Sequence, residues 1–521
     1  MSPSAPCAGA APARTLRVLR GCAVWVTALA MSATAAAQAV RADVRDFLGP
    51  DHQANAAVLK ARPIPPLPQG GPLATLHAWN RIAVDASGLD HTPVAPGESR
   101  TYGEQLGPGR ASRAMAIVHI AMFESVNAVM RKYRSLLGID VAPTETAVEA
   151  AIAQSAHDTL VALFPSQAAS FDAALATSLS GVSGKRARQL GVDLGQRAAA
   201  ATLAMRANDG SAHPEPLMDV DFVPQPNPGY WRQDPVSHSP VALGAHWGGV
   251  QPFVVPTSST YRAPHPPAME SAEYAAAYEE ARLLGGDGIT TPTLRTPEQT
   301  EIGTFWAYDG TPSLCAPPRL YNQVTMHIAA LRGTTNVLEL ARLLALVHTA
   351  MADAGITIWE SKFFYQMWRP VTGIRESDPG TGPMGLGDGN PATIGDPAFM
   401  PLGAPASNLL GPNFTPPFPT YPSGHSGFGG ALFQVLRRFY GTDAIAFDFV
   451  SDEFNGITRD NQGNVRPLVS RHFDSLSQAE EENGQSRIYL GIHWRFDKTE
   501  GIALGRRVAD DVFDHAFRPL H

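Results

Sequence analysis

Apolar residues recur at helical spacing through most of this 521-residue chain, and this pattern constrains the fold more than any other feature of the sequence. Between residues 111 and 133, for example, Met115, Val118, Met122 and Val126 follow one another three or four positions apart. That spacing places apolar side chains on one face of an α-helix. Segments that alternate apolar and polar residues, as half-buried strands do, are almost absent. The sequence therefore predicts an all-α protein.

Two stretches rich in glycine and proline, about 210–267 and 376–421, interrupt the helical pattern and predict long irregular connections. The chain is long enough for two or more domains. We predict an N-terminal helical region over residues 38–267 and a C-terminal helical domain over residues 268–521, with the boundary at the end of the first irregular stretch.

Two short segments, one in each predicted region, have similar sequences. The segment His119-Ile-Ala-Met-Phe-Glu124 is similar to His348-Thr-Ala-Met-Ala-Asp353. Two related helix bundles would leave such a trace. We interpret both histidines as structural, because each lies within a predicted core helix.

Residues 1–37 are typical of an export signal. Three arginines precede a short apolar stretch at 21–30, and three alanines precede Gln38 as in a signal cleavage site. A membrane anchor remains the alternative, although the apolar stretch is short for a span of about 20 residues. We therefore expect an exported protein, periplasmic or secreted, without a membrane span once the signal is removed.

Charge and cysteine content narrow the function classes. The net charge of −8 gives no cationic surplus for binding nucleic acid. Of the three cysteines, Cys7 and Cys22 lie in the predicted signal, which leaves Cys315 alone. A disulfide framework and a four-cysteine zinc site are therefore not expected.

Two segments carry groups suited to an anion. Lys362 and Arg369, seven residues apart, fall on one face of a helix. Further on, Ser423 is placed to cap the helix that follows it, and Gly424 permits close approach to the free N–H groups at that helix start. His425 would stand at the rim of this cradle. Alone, the first segment is also compatible with two unrelated surface cations, and the second with an ordinary capped helix that carries a surface histidine.

A third segment adds Arg487, His493 and Asp497. His493 and Asp497 are four residues apart, so a helix would let the carboxylate fix the tautomer of the imidazole. Burying three cations without partners would be costly, and a bound oxyanion is the natural counter-ion. Arginine side chains match the geometry of tetrahedral oxyanions.

The three motifs K-x₆-R-P, P-S-G-H and S-R-x₅-H, in this order, resemble the signature of the type 2 phosphatidic acid phosphatase/vanadium-dependent haloperoxidase superfamily. They cover about residues 362–497, and a looser likeness to the haloperoxidase branch extends upstream through 304–310. The resemblance implies an all-α fold of two four-helix bundles, with the active site in the C-terminal bundle.

The resemblance also implies roles for single residues. The equatorial oxygens of vanadate would be held by Lys362, Arg369, Ser423, Gly424 and Arg487. His493 would bond the vanadium, His425 would act as acid–base residue, and Asp309 would anchor Arg487. Vanadate would be the cofactor, and phosphate can occupy the same site. The implied partners are hydrogen peroxide, a halide and a small organic acceptor, and a homodimer is one expected assembly.

The motifs leave two activities open. In a phosphatase, His493 would form a phosphohistidine, His425 would protonate the leaving group, and Asp497 would orient His493. Trp359 and Phe418 resemble the aromatic residues on the halide side of chloroperoxidase-like members, although both would equally suit core packing. We therefore predict a vanadate-dependent haloperoxidase that produces hypohalous acid, with an exported acid phosphatase as the alternative.

Two further classes fit less well. A zinc hydrolase could draw ligands from His425, His493 and Asp497, but the neighbouring lysine and arginines would repel the cation. A non-catalytic oxyanion-binding protein would keep the cations but would not need two histidines.

Overall fold

The computed structural model describes residues 43–59 and 70–520. The predicted export signal lies outside the described residues. The described helices are α1 Arg45–Leu48, α2 Gly71–Asp90, α3 Gly107–Met130, α4 Val148–Leu163, α5 Ala168–Ser180, α6 Lys185–Met205, α7 Ala272–Leu284, α8 Pro297–Phe305, α9 Pro317–Leu331, α10 Val337–Tyr365, α11 Pro370–Arg375, α12 Gly424–Tyr440, α13 Leu476–Tyr489 and α14 Arg495–His515. The strands are β1 Gln53–Ala54, β2 Leu409–Leu410, β3 Phe447–Asn455 and β4 Leu468–Phe473.

The predicted all-α class is confirmed, with two small departures. The short β1 pairs with β2, and β3 pairs with β4, both antiparallel. In β3 the side chains of Phe447 and Phe449 are buried while Asp448 between them is exposed. This alternation is only a few residues long, which is why the sequence pattern did not predict the hairpin.

Helices pack in two groups around the longest helix, α10. On one side α3 packs against α4, α6 and α10, and on the other α12 packs against α10, α13 and α14. One continuous hydrophobic core includes side chains from both groups. The boundary predicted near residue 267 and the relation of the groups as two bundles stay predictions.

A glycine inside a helix can mark a bend, but α10 runs unbroken through Gly355. A side chain at this position would meet the ring of Phe428 at 3.0 Å. The glycine therefore serves close packing of α10 on α12 rather than a kink. At the start of α10, Asn336 accepts hydrogen bonds from the N–H groups of Leu338 and Glu339, and at the end of α12 Gly441 has φ of 70°.

The helix α3 is long and apolar enough to span a membrane, and 83% of its most apolar window is buried inside the protein. Buried core helices share this composition. The predicted absence of a membrane span is not tested by this observation.

The two similar segments, one on α3 and one on α10, contact each other. The imidazole rings of His119 and His348 stack with centroids 4.1 Å apart. Asn80 on α2 contacts His119 at 2.8 Å, Asn322 on α9 contacts His348 at 2.8 Å, and the two amides bond to each other. Both histidines are fully buried in this network, as expected of structural residues.

We expect this pair to make the protein acid-sensitive. Burial lowers the pKa of His119 to about 4, and burial also holds the pKa of His348 well below its usual value. Below pH about 6.5 the unfolded chain binds protons that the folded protein excludes, so stability falls between pH about 6.5 and 4. For His119 alone the loss in the free energy of unfolding is on the order of 3 kcal/mol.

Denaturant unfolding at pH 7 and pH 4.5 should show a smaller pH dependence for His119→Gln than for the wild type. The exposed His265→Gln is the control, and equal slopes for wild type and His119→Gln would contradict the prediction.

Candidate functional site

The three predicted motifs meet between the end of α10, the start of α12 and the segment joining α13 to α14. Helix α10 supplies Lys362, and Arg369 lies just beyond its end. Arg487 lies in the last turn of α13, and His493 lies just before α14. All four residues are at most 2% exposed, so the charges of the lysine and the two arginines are removed from water.

Backbone carbonyls hold the first two cations in place. The ammonium of Lys362 donates to the carbonyl oxygens of Pro419 and Thr420, each at 2.8 Å. Arg369 donates through Nε to Phe418 at 3.0 Å and through Nη1 to Ile492 at 2.9 Å. Burial lowers the pKa of Arg369 to about 9, and burial followed by the nearby arginines holds the pKa of Lys362 well below its ordinary value.

Arg487 is held by a carboxylate. Its Nη2 donates to Asp309 at 2.6 Å, the pairing that the family resemblance implies. Burial raises the pKa of Asp309, and the attraction of Arg487 only partly offsets this. The same carboxylate lies 4.0 Å from Nε2 of His425. Asp309 therefore connects the arginine and the second histidine.

Some buried N–H groups of the two arginines have no partner. Within the part of the chain that the structure describes, Nη2 of Arg369 and both Nε and Nη1 of Arg487 are fully buried without a hydrogen bond. Buried donors are rarely left unpaired, and unpaired charged donors are costlier still. These groups are therefore a cradle for an anionic acceptor.

The N-terminus of α12 adds neutral donors. Ser423 caps the helix, as predicted, by accepting the N–H of Ser426 at 3.3 Å. Gly424 follows as the first helical residue, and a side chain there would meet the ring of Trp359 at 3.3 Å. A helix N-terminus carries partial positive charge and favours anions.

His493 is oriented by a carboxylate. Its Nδ1 lies 2.8 Å from Oδ2 of Asp497 and 3.1 Å from the hydroxyl of Thr420, and its Nε2 lies 3.1 Å from Nη1 of Arg369. Because a carboxylate only accepts, Nδ1 carries the proton and Nε2 keeps its lone pair. Burial raises the pKa of Asp497 to about 7, although the hydrogen bond from Thr420 lowers it.

His425 is held neutral. Burial, then repulsion from Arg487, holds the pKa of its imidazole well below the usual value. Its Nε2 donates to the carbonyl oxygen of Ala307, which leaves Nδ1 as the basic atom. The ring is therefore neutral near neutral pH, with a lone pair on Nδ1.

The structure thus brings together every residue that the sequence predicts for the site. One cavity is lined by four of the polar ones, Asp309, His425, Arg487 and His493, and by Trp359 and Phe418. The aromatic rings lie 4.8 Å apart. Thr420, which contacts Lys362, His493 and Asp497, was missed: it stands outside the three motifs, and its role depends on packing that spacing does not reveal.

Among the described residues no cluster of histidine, cysteine, aspartate and glutamate has the form of a cation site. A zinc ion bound to His493 would be repelled by the guanidinium of Arg369, whose Nη1 lies 3.1 Å from Nε2 of that histidine. The donor set favours a tetrahedral oxyanion instead. By fold and site the protein is a helical protein with a buried, positively charged oxyanion site.

Comparisons with known proteins agree with this class. Residues 342–521 match the family model described as the VCPO second helical-bundle domain. The chain is 42% identical over 260 residues to the vanadium chloroperoxidase of Curvularia inaequalis, a match that covers 44% of this chain and 41% of that protein. The chain thus spans about two fifths of the length of this relative. The matched residues 342–521 contain all three motifs from which the sequence analysis inferred the family resemblance.

Solved structures extend the likeness to most of the fold. A bacterial vanadium-dependent iodoperoxidase matches with a TM-score of 0.65 at 24% identity, covering 88% of this chain and 99% of that one. A holo-type bacterial vanadium-dependent chloroperoxidase matches with a TM-score of 0.57 at 17% identity, covering 81% and 95%. Identities this low establish a shared fold.

We predict that the cradle binds inorganic phosphate and that Arg487→Lys weakens this binding about 10- to 100-fold. Lysine keeps the charge but loses the planar set of donors, and a hydrogen bond to a charged group contributes about 1.5–3 kcal/mol. Titration calorimetry at pH 7 measures the change. Arg495→Lys is the matched control, because that arginine is 55% exposed and pairs with Glu280 away from the cradle. Equal phosphate affinity in wild type and Arg487→Lys would contradict the assignment.

Proposed function

We propose that the protein is a vanadate-dependent haloperoxidase, which oxidises a halide with hydrogen peroxide to hypohalous acid. The observation that carries this proposal is the set of unpartnered N–H groups on Arg369 and Arg487, buried beside a histidine whose Nε2 is left unprotonated. These groups fit vanadate, which needs donors for its oxygens and one nitrogen ligand. Bound vanadate would supply an electrophilic centre that activates peroxide toward the halide.

The residues of the cradle would divide the work of binding. Lys362, Arg369 and Arg487 would neutralise the oxyanion, while Ser423 and the N–H of Gly424 would add neutral hydrogen bonds. Lys362 uses two of its three N–H groups on carbonyl oxygens, so the third is left for the anion or for peroxide. His493 would bond the metal through Nε2.

Proton transfer would fall to His425. Its neutral ring, protonated on Nε2 and basic at Nδ1, would take a proton from hydrogen peroxide as it enters the site. The depressed pKa keeps the ring in this form at neutral pH. Asp309 would stabilise the imidazolium that results, because it lies 4.0 Å away.

Trp359 and Phe418 would hold the halide. The indole N–H of Trp359 donates to the carbonyl oxygen of Leu243 at 3.0 Å, so the part of the ring that lines the cavity is apolar. Lys362 and Arg369 lie 5.1 and 5.0 Å from the centre of the Phe418 ring. A halide there would lose water on the aromatic side while remaining near positive charge.

Two observations set the phosphatase alternative aside. The relatives found by sequence and structure carry the names of haloperoxidases. The cavity beside the cradle is apolar apart from the catalytic groups themselves.

Export, the absence of a membrane span and a homodimer remain predictions from the sequence, and cell fractionation together with light scattering would test them.

Vanadate dependence tests the proposed function directly. Mature protein should oxidise chloride, bromide or iodide with peroxide only after orthovanadate is added, and phosphate should compete. His493→Ala should reduce this rate at least 100-fold, because the site loses the nitrogen ligand. Arg495→Lys is the control. Halide oxidation that does not need vanadate, or phosphoester hydrolysis inhibited by vanadate, would overturn the proposal.

Thr420 is predicted to act as a positioning residue through Asp497. Its hydroxyl donates to the Asp497 carboxylate, and Thr420→Val removes this bond with little change in volume. The pKa of Asp497 should then rise, so the pH below which vanadate binding weakens should move up by about one unit. Thr420→Ser should restore the wild-type profile, which a loss of packing alone would not explain. An unchanged profile for Thr420→Val would exclude this role.

A further inference from the structure

The segment that joins α8 to α9 supplies two contacts to the active site. The carbonyl oxygen of Ala307 accepts the Nε2 proton of His425, and the carboxylate of Asp309 accepts from Nη2 of Arg487 at 2.6 Å. Residues 307–309 lie between the end of α8 and the start of α9, so the regular hydrogen bonds of a helix do not fix them. The two contacts therefore depend on whatever holds this turn in place.

The residue between Ala307 and Asp309 has an unusual backbone. Tyr308 has φ of 48°, in the left-handed region, which a bulky residue rarely adopts. Such a conformation is costly and persists only where the surrounding structure imposes it. With φ in the ordinary negative range the chain would leave Tyr308 in another direction, and the Asp309 carboxylate would no longer face Arg487. The position of Asp309 thus depends on the contacts that hold Tyr308.

Three consecutive residues of β3 supply contacts to this segment. The hydroxyl of Ser451 donates to the carbonyl oxygen of Phe305 at 2.6 Å, and the N–H of Asp452 donates to the hydroxyl of Tyr308 at 2.6 Å. The side chain of Glu453 accepts the backbone N–H of Tyr308 through Oε1 at 3.2 Å. Of these three contacts, the last is the one that holds the backbone of the left-handed residue itself.

The two oxygens of the Glu453 carboxylate have different partners. Glu453 is fully buried, and its Oε2 accepts the hydroxyl of Ser407 at 2.6 Å and pairs with Arg466. Acidic side chains are almost never fully buried unless they are paired. The ion pair with Arg466 satisfies one oxygen and stabilises the charge, and this leaves the other oxygen for the N–H of Tyr308.

We propose that Glu453 is a positioning residue of the oxyanion site and acts by holding the backbone N–H of Tyr308. The turn then keeps Asp309 on Nη2 of Arg487, so the unpartnered Nε and Nη1 of that guanidinium stay directed at the anion. Glu453 is not among the residues that line the cavity, so it acts through the turn. The part of this inference that concerns turnover rests on the proposed function, whereas the part that concerns anion binding does not.

Two variants remove the contact with Tyr308 in different ways. In Glu453→Gln one oxygen remains, and the cation of Arg466 attracts it, so the amide NH₂ group faces the N–H of Tyr308. In Glu453→Asp the charge and the ion pair remain, but the side chain is one methylene shorter and does not reach Tyr308. Titration calorimetry with inorganic phosphate at pH 7 should show about 10-fold weaker binding for both, because Arg487 loses its fixed orientation.

Asp452→Asn is the matched control. This carboxylate lies on the same strand and forms an ion pair with Arg319 at 3.2 Å, and its bond to Tyr308 comes from the backbone, which the substitution keeps. The variant should bind phosphate within about twofold of the wild type, although it also loses an ion pair. Because Glu453→Asp keeps its ion pair, it tests the inference even where Glu453→Gln does not fold.

A double-mutant cycle tests the route through Asp309. In an Asp309→Ala background Glu453→Gln should change the phosphate affinity by less than about twofold, because the link between the turn and Arg487 is already lost. With vanadate bound, both Glu453 variants should lower kcat and leave the KM for halide near the wild-type value, because Trp359 and Phe418 belong to other segments. General destabilisation would not divide the two constants in this way.

Three results would each show that Glu453 has no positioning role: wild-type phosphate affinity in both Glu453 variants, an equal loss of affinity in Asp452→Asn, or an additive loss in the Asp309→Ala background. Absence of vanadate-dependent halide oxidation in the wild type would instead refute the proposed function. The phosphate titrations would still decide whether Glu453 positions the site.

Discussion

The burial of three cations in one site is the constraint on which the rest of the structure depends. Lys362, Arg369 and Arg487 are removed from water, and the carboxylates whose charge acts on Lys362 and Arg369 include Asp309, Asp497 and Asp234. Even so, three N–H groups of the two arginines are buried without a partner among the described residues. Unpaired buried donors on charged groups are expensive. A bound anion would supply the missing acceptors.

Backbone carbonyl groups and closely packed helices stabilise the buried cations of the site. Carbonyl oxygens at the end of the irregular segment 376–421 receive N–H groups of Lys362 and Arg369, and these bonds use lone pairs that no helix or sheet claims. Long α10 packs against both α3 and α12, and the stacked His119 and His348 lie within that packing. Because these helices are closely packed, the unpaired N–H groups cannot turn toward other acceptors, and the cradle keeps its geometry.

Local signals predicted much of this site, and long-range packing set the remainder. The cap at Ser423 acts within one turn of helix, so the sequence reveals it directly. The predicted shared helix face of Lys362 and Arg369 is wrong, because α10 ends at Tyr365 and Arg369 lies beyond it. The role of Thr420 depends on Asp497, a contact between residues 77 positions apart in the chain. The alternation in β3 was too short to compete with the helical pattern.

The same packing explains why the two histidines can play opposite parts although both are buried near arginines. Asp497 accepts from Nδ1 of His493 and so directs a lone pair toward the anion. A carbonyl, an acceptor without charge, takes the Nε2 proton of His425. Burial and neighbouring cations hold the pKa of both imidazoles well below the usual value, so the two neutral rings differ in which nitrogen carries the proton. A ligand to a metal and a proton acceptor therefore arise from one residue type through the different groups that each ring contacts.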